Sequence, residues 1–184
     1  QLRISPLWYT LLWTLGLIVL GLFLGLVSQR WPMIKGSGIP QIKGELLGKK
    51  SHSWLPELPL KLVSGVLAMG AGLSLGREGP SVQMGAYIGK AISRIGRRSP
   101  VELRYLMISG SSAGLAAAFN APLAGVIFAL EELNKHFSPL LLVCAMAASA
   151  AGDFVSSHFF GLRPSFDFPP IAPLPLIHFP WLIL

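Results

Sequence analysis

Charged residues are scarce. Lys, Arg, Asp and Glu make up 12% of the 184 residues, about half the share of an ordinary soluble domain. Acids are scarcer than bases, eight against fifteen, for a net charge of +7. The single cysteine, Cys144, excludes an internal disulfide and a cysteine-based metal site. Within "LLVCAMAASA" it reads as a packing residue. His52, His136, His158 and His178 stand singly, without metal-ligand spacing. No segment alternates apolar and polar residues with period two, so strands are not expected. The bases lie in short loops, Lys43, Lys49 and Lys50 in one and Arg94, Arg97 and Arg98 in another. Basic loops beside lipid are ordinary, and no nucleic-acid partner is inferred from them.

What is abundant is apolar length. Hydrophobic residues make up 52% of the chain, and the mean hydropathy is +0.60. Residues 7–29 run for 23 positions without a charge, and residues 105–130 for 26. Both exceed the roughly 20 residues a membrane-spanning helix needs. The first run is too long for a signal peptide and lacks a small-residue cleavage site. The chain has no initiator Met and stops on "FPWLIL" inside an apolar stretch. The expectation is one membrane domain fragment over 1–184, cut from a larger integral membrane protein.

Along the chain, residues 7–28 predict one spanning helix, with Trp8, Tyr9 and Trp13 near an interface. "QRWPMIKGSGIP" breaks it, and 39–47 has room for about two turns. Residues 48–60 read as a polar loop around Pro56 and Pro59, and 61–75 as a helix. "GREGP" interrupts again, and Pro80 starts a helix to about Ile95. Ser99, Pro100 and Glu102 match a capping box for a helix to Phe119. "NAP" then breaks the chain, with Asn120 as expected cap of a short helix over 122–133, and 139–160 spans again. Residues 161–175 hold five of the fifteen prolines and exclude a regular helix, while 177–184 begins one more. The fold class is all-α: an integral membrane, multi-helix protein with broken, re-entrant helices.

Helices broken at membrane depth survive only where they are buried in protein or line a watery cavity. Their N-termini offer free N–H groups and about half a positive charge, which together suit an anion. Three starts qualify, "GSGIP", "GREGP" and "NAP", and Ser37 adds a hydroxyl to the first. Glu78 stands at the second. Deprotonated, it competes with an anion for the site; protonated, it is neutral and can swing away. One acid there couples protons to anion passage.

In order and spacing, "GSGIP" (36–40), "GREGP" (76–80) and "AGLAAAFNAPLAGVIFALEEL" (113–133) resemble the first half of the CLC family of chloride channels and chloride/proton exchangers. The resemblance implies half of an inverted-repeat fold, a homodimer in the lipid bilayer with one pathway per subunit, and chloride and protons as the transported species. It assigns Ser37, with the backbone at Gly38 and Ile39, to the central chloride, and Arg77 and Gly79 to the outer anion site. It makes Glu78 the gating glutamate and Glu132 the internal proton glutamate, and an acid at 132 favours exchange over passive conduction. It places "GSGIP" towards the cytoplasm and Glu78 towards the outside. The family's first helix, its second-half "GxFxP" motif and its late tyrosine are not in the sequence. The expected partner is therefore the missing C-terminal half of the same transporter.

Plainer roles exist for each residue. Ser37 can be a turn serine, Arg77 an interfacial arginine reaching water, and Glu131 and Glu132 a solvated helix end. Acids at a helix C-terminus oppose its dipole, however, so that pair asks for an explanation. "GSSAG" (110–114) matches the G-x-S-x-G of serine hydrolases, but it lies in an apolar helical run without a nearby histidine. Close helix packing accounts for it better, and no enzyme is expected. The function expected is chloride/proton antiport in the plasma (inner) membrane of a prokaryote, without a cofactor. The alternatives are a passive chloride channel, an intramembrane hydrolase using Ser112, or a fragment that serves only to pack.

Overall fold

The structure is a computed structural model and describes residues 7–49 and 53–161. Among these, every regular element is helical. In order they are α1 (Leu7–Arg30), a 3-10 turn (Pro32–Ile34), α2 (Ile39–Leu46), α3 (Trp54–Gly70), α4 (Glu78–Ile95), α5 (Pro100–Phe119), α6 (Pro122–Phe128), a π-helical turn (Ala129–Asn134) and α7 (Pro139–Phe160). The expected segment over 177–184 and most of the proline-rich stretch lie outside the described residues.

α1 and α7 are long and apolar enough to cross a membrane. α1 is mostly apolar and most of its side chains are exposed, with Leu11 at 70% and Leu22 at 65%, while Leu20, Leu24 and Val27 are half-buried. A helix without a polar face has nothing to offer water; it needs lipid or protein around it. The core lies further along the chain, where Ile42, Ala86, Tyr87, Ile108 and Leu141 are fully buried.

α4 and α5 form the tightest pair, and glycine is the reason. A methyl group on Gly85 would run into the carbonyl of Gly110, one on Gly89 into Leu106, and one on Gly114 into Ser81. The helices pack backbone to backbone, as small residues allow in a bilayer where lipid competes with bulky side chains for contact. α7 docks on α5 similarly: Ser112 and Ser149 share a 2.5 Å hydrogen bond, and Ser156 donates to the Ala117 carbonyl at 3.1 Å. Ser112 thus sits mid-helix in a packing contact, not on the strand-to-helix turn of a G-x-S-x-G elbow.

Three sequence expectations need correction. The polar stretch before Lys61 is not all loop: α3 starts at Trp54 and runs through Pro59, ending at Gly70 instead of 75. Pro56 falls in the first turn, where no N–H is needed, and Pro59 removes one bond from a helix held by packing. Asn120 does not cap the start of α6. It closes α5 in the left-handed conformation (φ 53°, ψ 43°), which asparagine tolerates, and Ala121 precedes α6. The helix expected to Leu133 changes pitch after Phe128 into the π-helical turn.

Candidate functional site

The loop before α2 turns on two glycines in the left-handed region, Gly36 (φ 64°) and Gly38 (φ 92°). At Gly38 a side chain is excluded twice, by that backbone and by Gln83, whose Cβ lies 2.7 Å from where a methyl would stand. Gln83, fully buried on α4, donates to the Met33 carbonyl at 2.9 Å. Lys61, buried on α3, donates to the carbonyls of Ile34 at 2.8 Å and Gly36 at 2.7 Å. The loop's carbonyls are thus drawn onto α3 and α4. Its amides and the first amides of α2 carry no side-chain cap, because Gly38 stands at the N-cap. The first four N–H groups of a helix have no partner inside it.

α4 begins the same way. Arg77 stands at its N-cap without a side-chain cap, Glu78 is the first helical residue and Pro80 the third. The two starts touch. A methyl on buried Gly79 would lie 2.5 Å from the Ser37 carbonyl oxygen and 2.6 Å from its Cβ. Only glycine permits that approach. The Glu78 carboxylate folds back over Gly76, close enough that a methyl there would overlap Oε2. Ser37, Lys61, Glu78 and Gly79 share a cavity of about 620 Å³, with Ser28 of α1 on its wall.

The structure therefore brings together five of the residues singled out in the sequence: exposed Ser37, buried Gly38, half-buried Ile39 at the start of α2, half-buried Glu78 and buried Gly79. Arg77 is exposed and turns to a second cavity, with Ser81, Asn120 and Ser156. The "NAP" break opens there too. Of the three helix starts, those of α2 and α4 converge on the first cavity, and "NAP" meets only the Arg77 side of α4 in the second. Glu132 lies apart from both, on the π-helical turn, where Lys43 of α2 pairs with it at 2.5 Å.

Sequence reading missed Lys61. A lone lysine inside "LPLKLVSG" was the available signal, since an ionisable residue in an apolar run is expensive unless it has work to do. No carboxylate among the described residues lies within ion-pair reach of it. Next to it, buried Glu57 accepts from the Tyr87 hydroxyl at 2.5 Å, and Gln83 reaches the same hydroxyl at 3.3 Å. A second buried pair, Lys90 with Glu45, ties α4 to α2. Lys61 and Glu57 in turn tie the α2 loop and α4 to α3.

The chain is similar in sequence and fold to known transporters. The H(+)/Cl(-) exchange transporter ClcA of Vibrio cholerae is 44% identical over 148 residues, which cover 79% of this chain and 31% of that protein. The transporter of the same name from Klebsiella pneumoniae is 42% identical over 142 residues, covering 73% and 29%. The crystal structure of a slow cyanobacterial Cl-/H+ antiporter superimposes with a TM-score of 0.82 at 34% identity, covering 97% of this chain and 42% of that one. The chain spans under a third of the length of these curated relatives. With the sequence model of the voltage gated chloride channel family matching residues 20–184, the chain belongs to that family of integral membrane proteins.

Proposed function

We propose that this chain is the N-terminal part of a chloride/proton exchanger and that the cavity between the starts of α2 and α4 holds the anion. Chloride is bound by the amides of Gly38 and Ile39 and the Ser37 hydroxyl, with the backbone at Arg77 and Gly79 forming an outer station. Uncapped amides at two helix starts supply partial positive charge that needs no reorganisation as the ion arrives. Lys61 adds a full charge behind the loop and holds its carbonyls away from the ion.

Glu78 is the gate. As a carboxylate it seeks the same N–H groups as chloride and excludes it. A proton removes the charge, the side chain leaves, and chloride passes. Anion movement is thereby tied to proton uptake at one side chain, and Glu132 supplies protons from the other side. The exchanger works as a homodimer in the inner membrane of a prokaryote, together with the C-terminal half, and the cycle uses no cofactor and no enzymatic step. The observation that carries this reading is the contact of Ser37 with Gly79, which sets Glu78 on one cavity with the α2 loop.

The test is proton flux driven by a chloride gradient in liposomes holding the full-length protein. Uphill proton movement is expected, and Glu132→Ala is expected to abolish it while chloride still moves. Chloride flux without any proton movement in the unmodified protein would make it a passive channel.

A further inference from the structure

The geometry points to Lys43 as a latch on Glu132: the ammonium holds the carboxylate at the inner mouth and must let go before a proton enters from that side. The inference rests on the exchanger reading above, in which Glu132 passes protons inward.

Lys43 and Glu132 are 89 residues apart in sequence. Lys43 lies in the last turn of α2, whose first turn forms the anion loop. Glu132 lies on the π-helical turn after α6, outside the two apolar spans. The extra residue per turn in a π-helix re-aims side chains, and such turns recur at functional sites. Nζ and Oε1 are 2.5 Å apart, with 29% of the lysine side chain and 44% of the glutamate side chain exposed. Water therefore reaches the carboxylate while the lysine engages it. One short helix links the two: its start faces the anion and its end grips the proton acceptor.

An ammonium against a carboxylate favours the charged form. The hydrogen bond from Lys43, then its charge, and more weakly the charge of Lys135 hold the Glu132 carboxyl below the ordinary carboxylate range. The other charged groups nearby are engaged elsewhere or are of the same sign. Arg104 of α5 reaches Asn134 at 3.4 Å, Glu45 of α2 is bound to Lys90, and Glu131 points to solvent. The first turn of α7, "PLLL", brings no charge. Protonation takes one proton from the inner aqueous side onto the carboxylate. Lys43 keeps its own three protons and only swings away.

The test uses the full-length protein in liposomes, with proton flux measured as the pH on the Glu132 side is varied. Lys43→Met is expected to raise the pH of half-maximal proton flux by about one unit, since an opposite charge at this range lowers a carboxylate by one to three. Lys43→Arg keeps the charge and is expected to keep the original midpoint, which a merely structural role would not require. Chloride flux measured in parallel reports folded protein, and Lys43→Gln serves in the same way if Lys43→Met does not fold. An unchanged midpoint in the uncharged variants, with Glu132→Gln still abolishing proton flux, overturns the latch and leaves the exchanger reading standing. Proton flux that survives Glu132→Gln overturns the exchanger reading itself.

Discussion

At the start of α5, the Ser99 side chain accepts from the Glu102 amide at 3.3 Å, while Glu102 accepts from the Ser99 amide at 2.9 Å. At the start of α7, Ser138 Oγ accepts from the Leu141 amide at 3.4 Å. At the starts of α2 and α4 the N-cap residues are Gly38 and Arg77, neither of which has a side-chain hydrogen-bond acceptor. The first two starts are closed by their own sequence. The other two leave N–H groups that, away from bulk water, need an acceptor from elsewhere. The closed starts carry serine at the cap. The open ones meet each other at Ser37 and Gly79, beside the one acid in the first turn of α4. α3 and α6 also start without a side-chain cap, so what sets the starts of α2 and α4 apart is their meeting, and the proposed anion site rests on that meeting.

The comparison can be broken or sharpened by substitution, each read in the full-length protein. The largest effect is expected from Glu78→Ala, which removes the competitor at the open starts. Proton transport should fall by more than tenfold while chloride flux persists, measured with paired pH and chloride electrodes. Next is Gly79→Ala. Its methyl group would push the two open starts apart, at the ~1–3 kcal/mol typical of overpacking, so chloride affinity by calorimetry should fall roughly tenfold or more. Lys61→Met leaves the carbonyls of Ile34 and Gly36 without their donor and removes a buried charge. Chloride affinity should again fall, by roughly tenfold at the ~1.5–3 kcal/mol of charged hydrogen bonds, with Lys61→Arg falling less.

The smallest effect is expected at a closed start. Ser99→Ala should lower the melting temperature by about 2–4 °C and leave chloride affinity unchanged. It also carries a pH signature. The Ser99 amide and hydroxyl, and then Arg98, hold the Glu102 carboxyl below the ordinary carboxylate range. A depressed folded pKa stabilises the fold at pH above the unfolded value and ceases to do so as pH falls through the folded one. The gap in melting temperature between the original and Ser99→Ala proteins should therefore be present at neutral pH and narrow in acid.

Much of this was legible in the sequence because it is local. The S-P-V-E box at 99–102 announces α5, and Pro139 to Phe160 is a span by length and composition alone. The glycine and proline spacing of "GSGIP" and "GREGP" marked both open starts. Illegible were features decided at a distance. Pro56 and Pro59 look like loop residues until α4 is there to hold α3 in place. Asn120 suits either end of a helix, and only the left-handed backbone shows which it serves. The π-helical turn at Ala129–Asn134 has no periodic signature, and the Lys43–Glu132 pair joins residues that no local pattern connects. That "NAP" opens on the cavity of Arg77 and Ser81, and not on the one shared by Ser37 and Glu78, also follows only from the packing of α6 on α5 and α7.

The most direct measurement is anomalous diffraction from crystals of the full-length protein grown with bromide in place of chloride. An anion held by the two open starts should give a peak within hydrogen-bonding reach of the Gly38 and Ile39 amides and the Ser37 hydroxyl. A second peak should arise where the Glu78 carboxylate stood once Glu78→Gln has removed its charge. Crystals that hold bromide elsewhere, but show none between residues 36–40 and 76–80, would contradict the account.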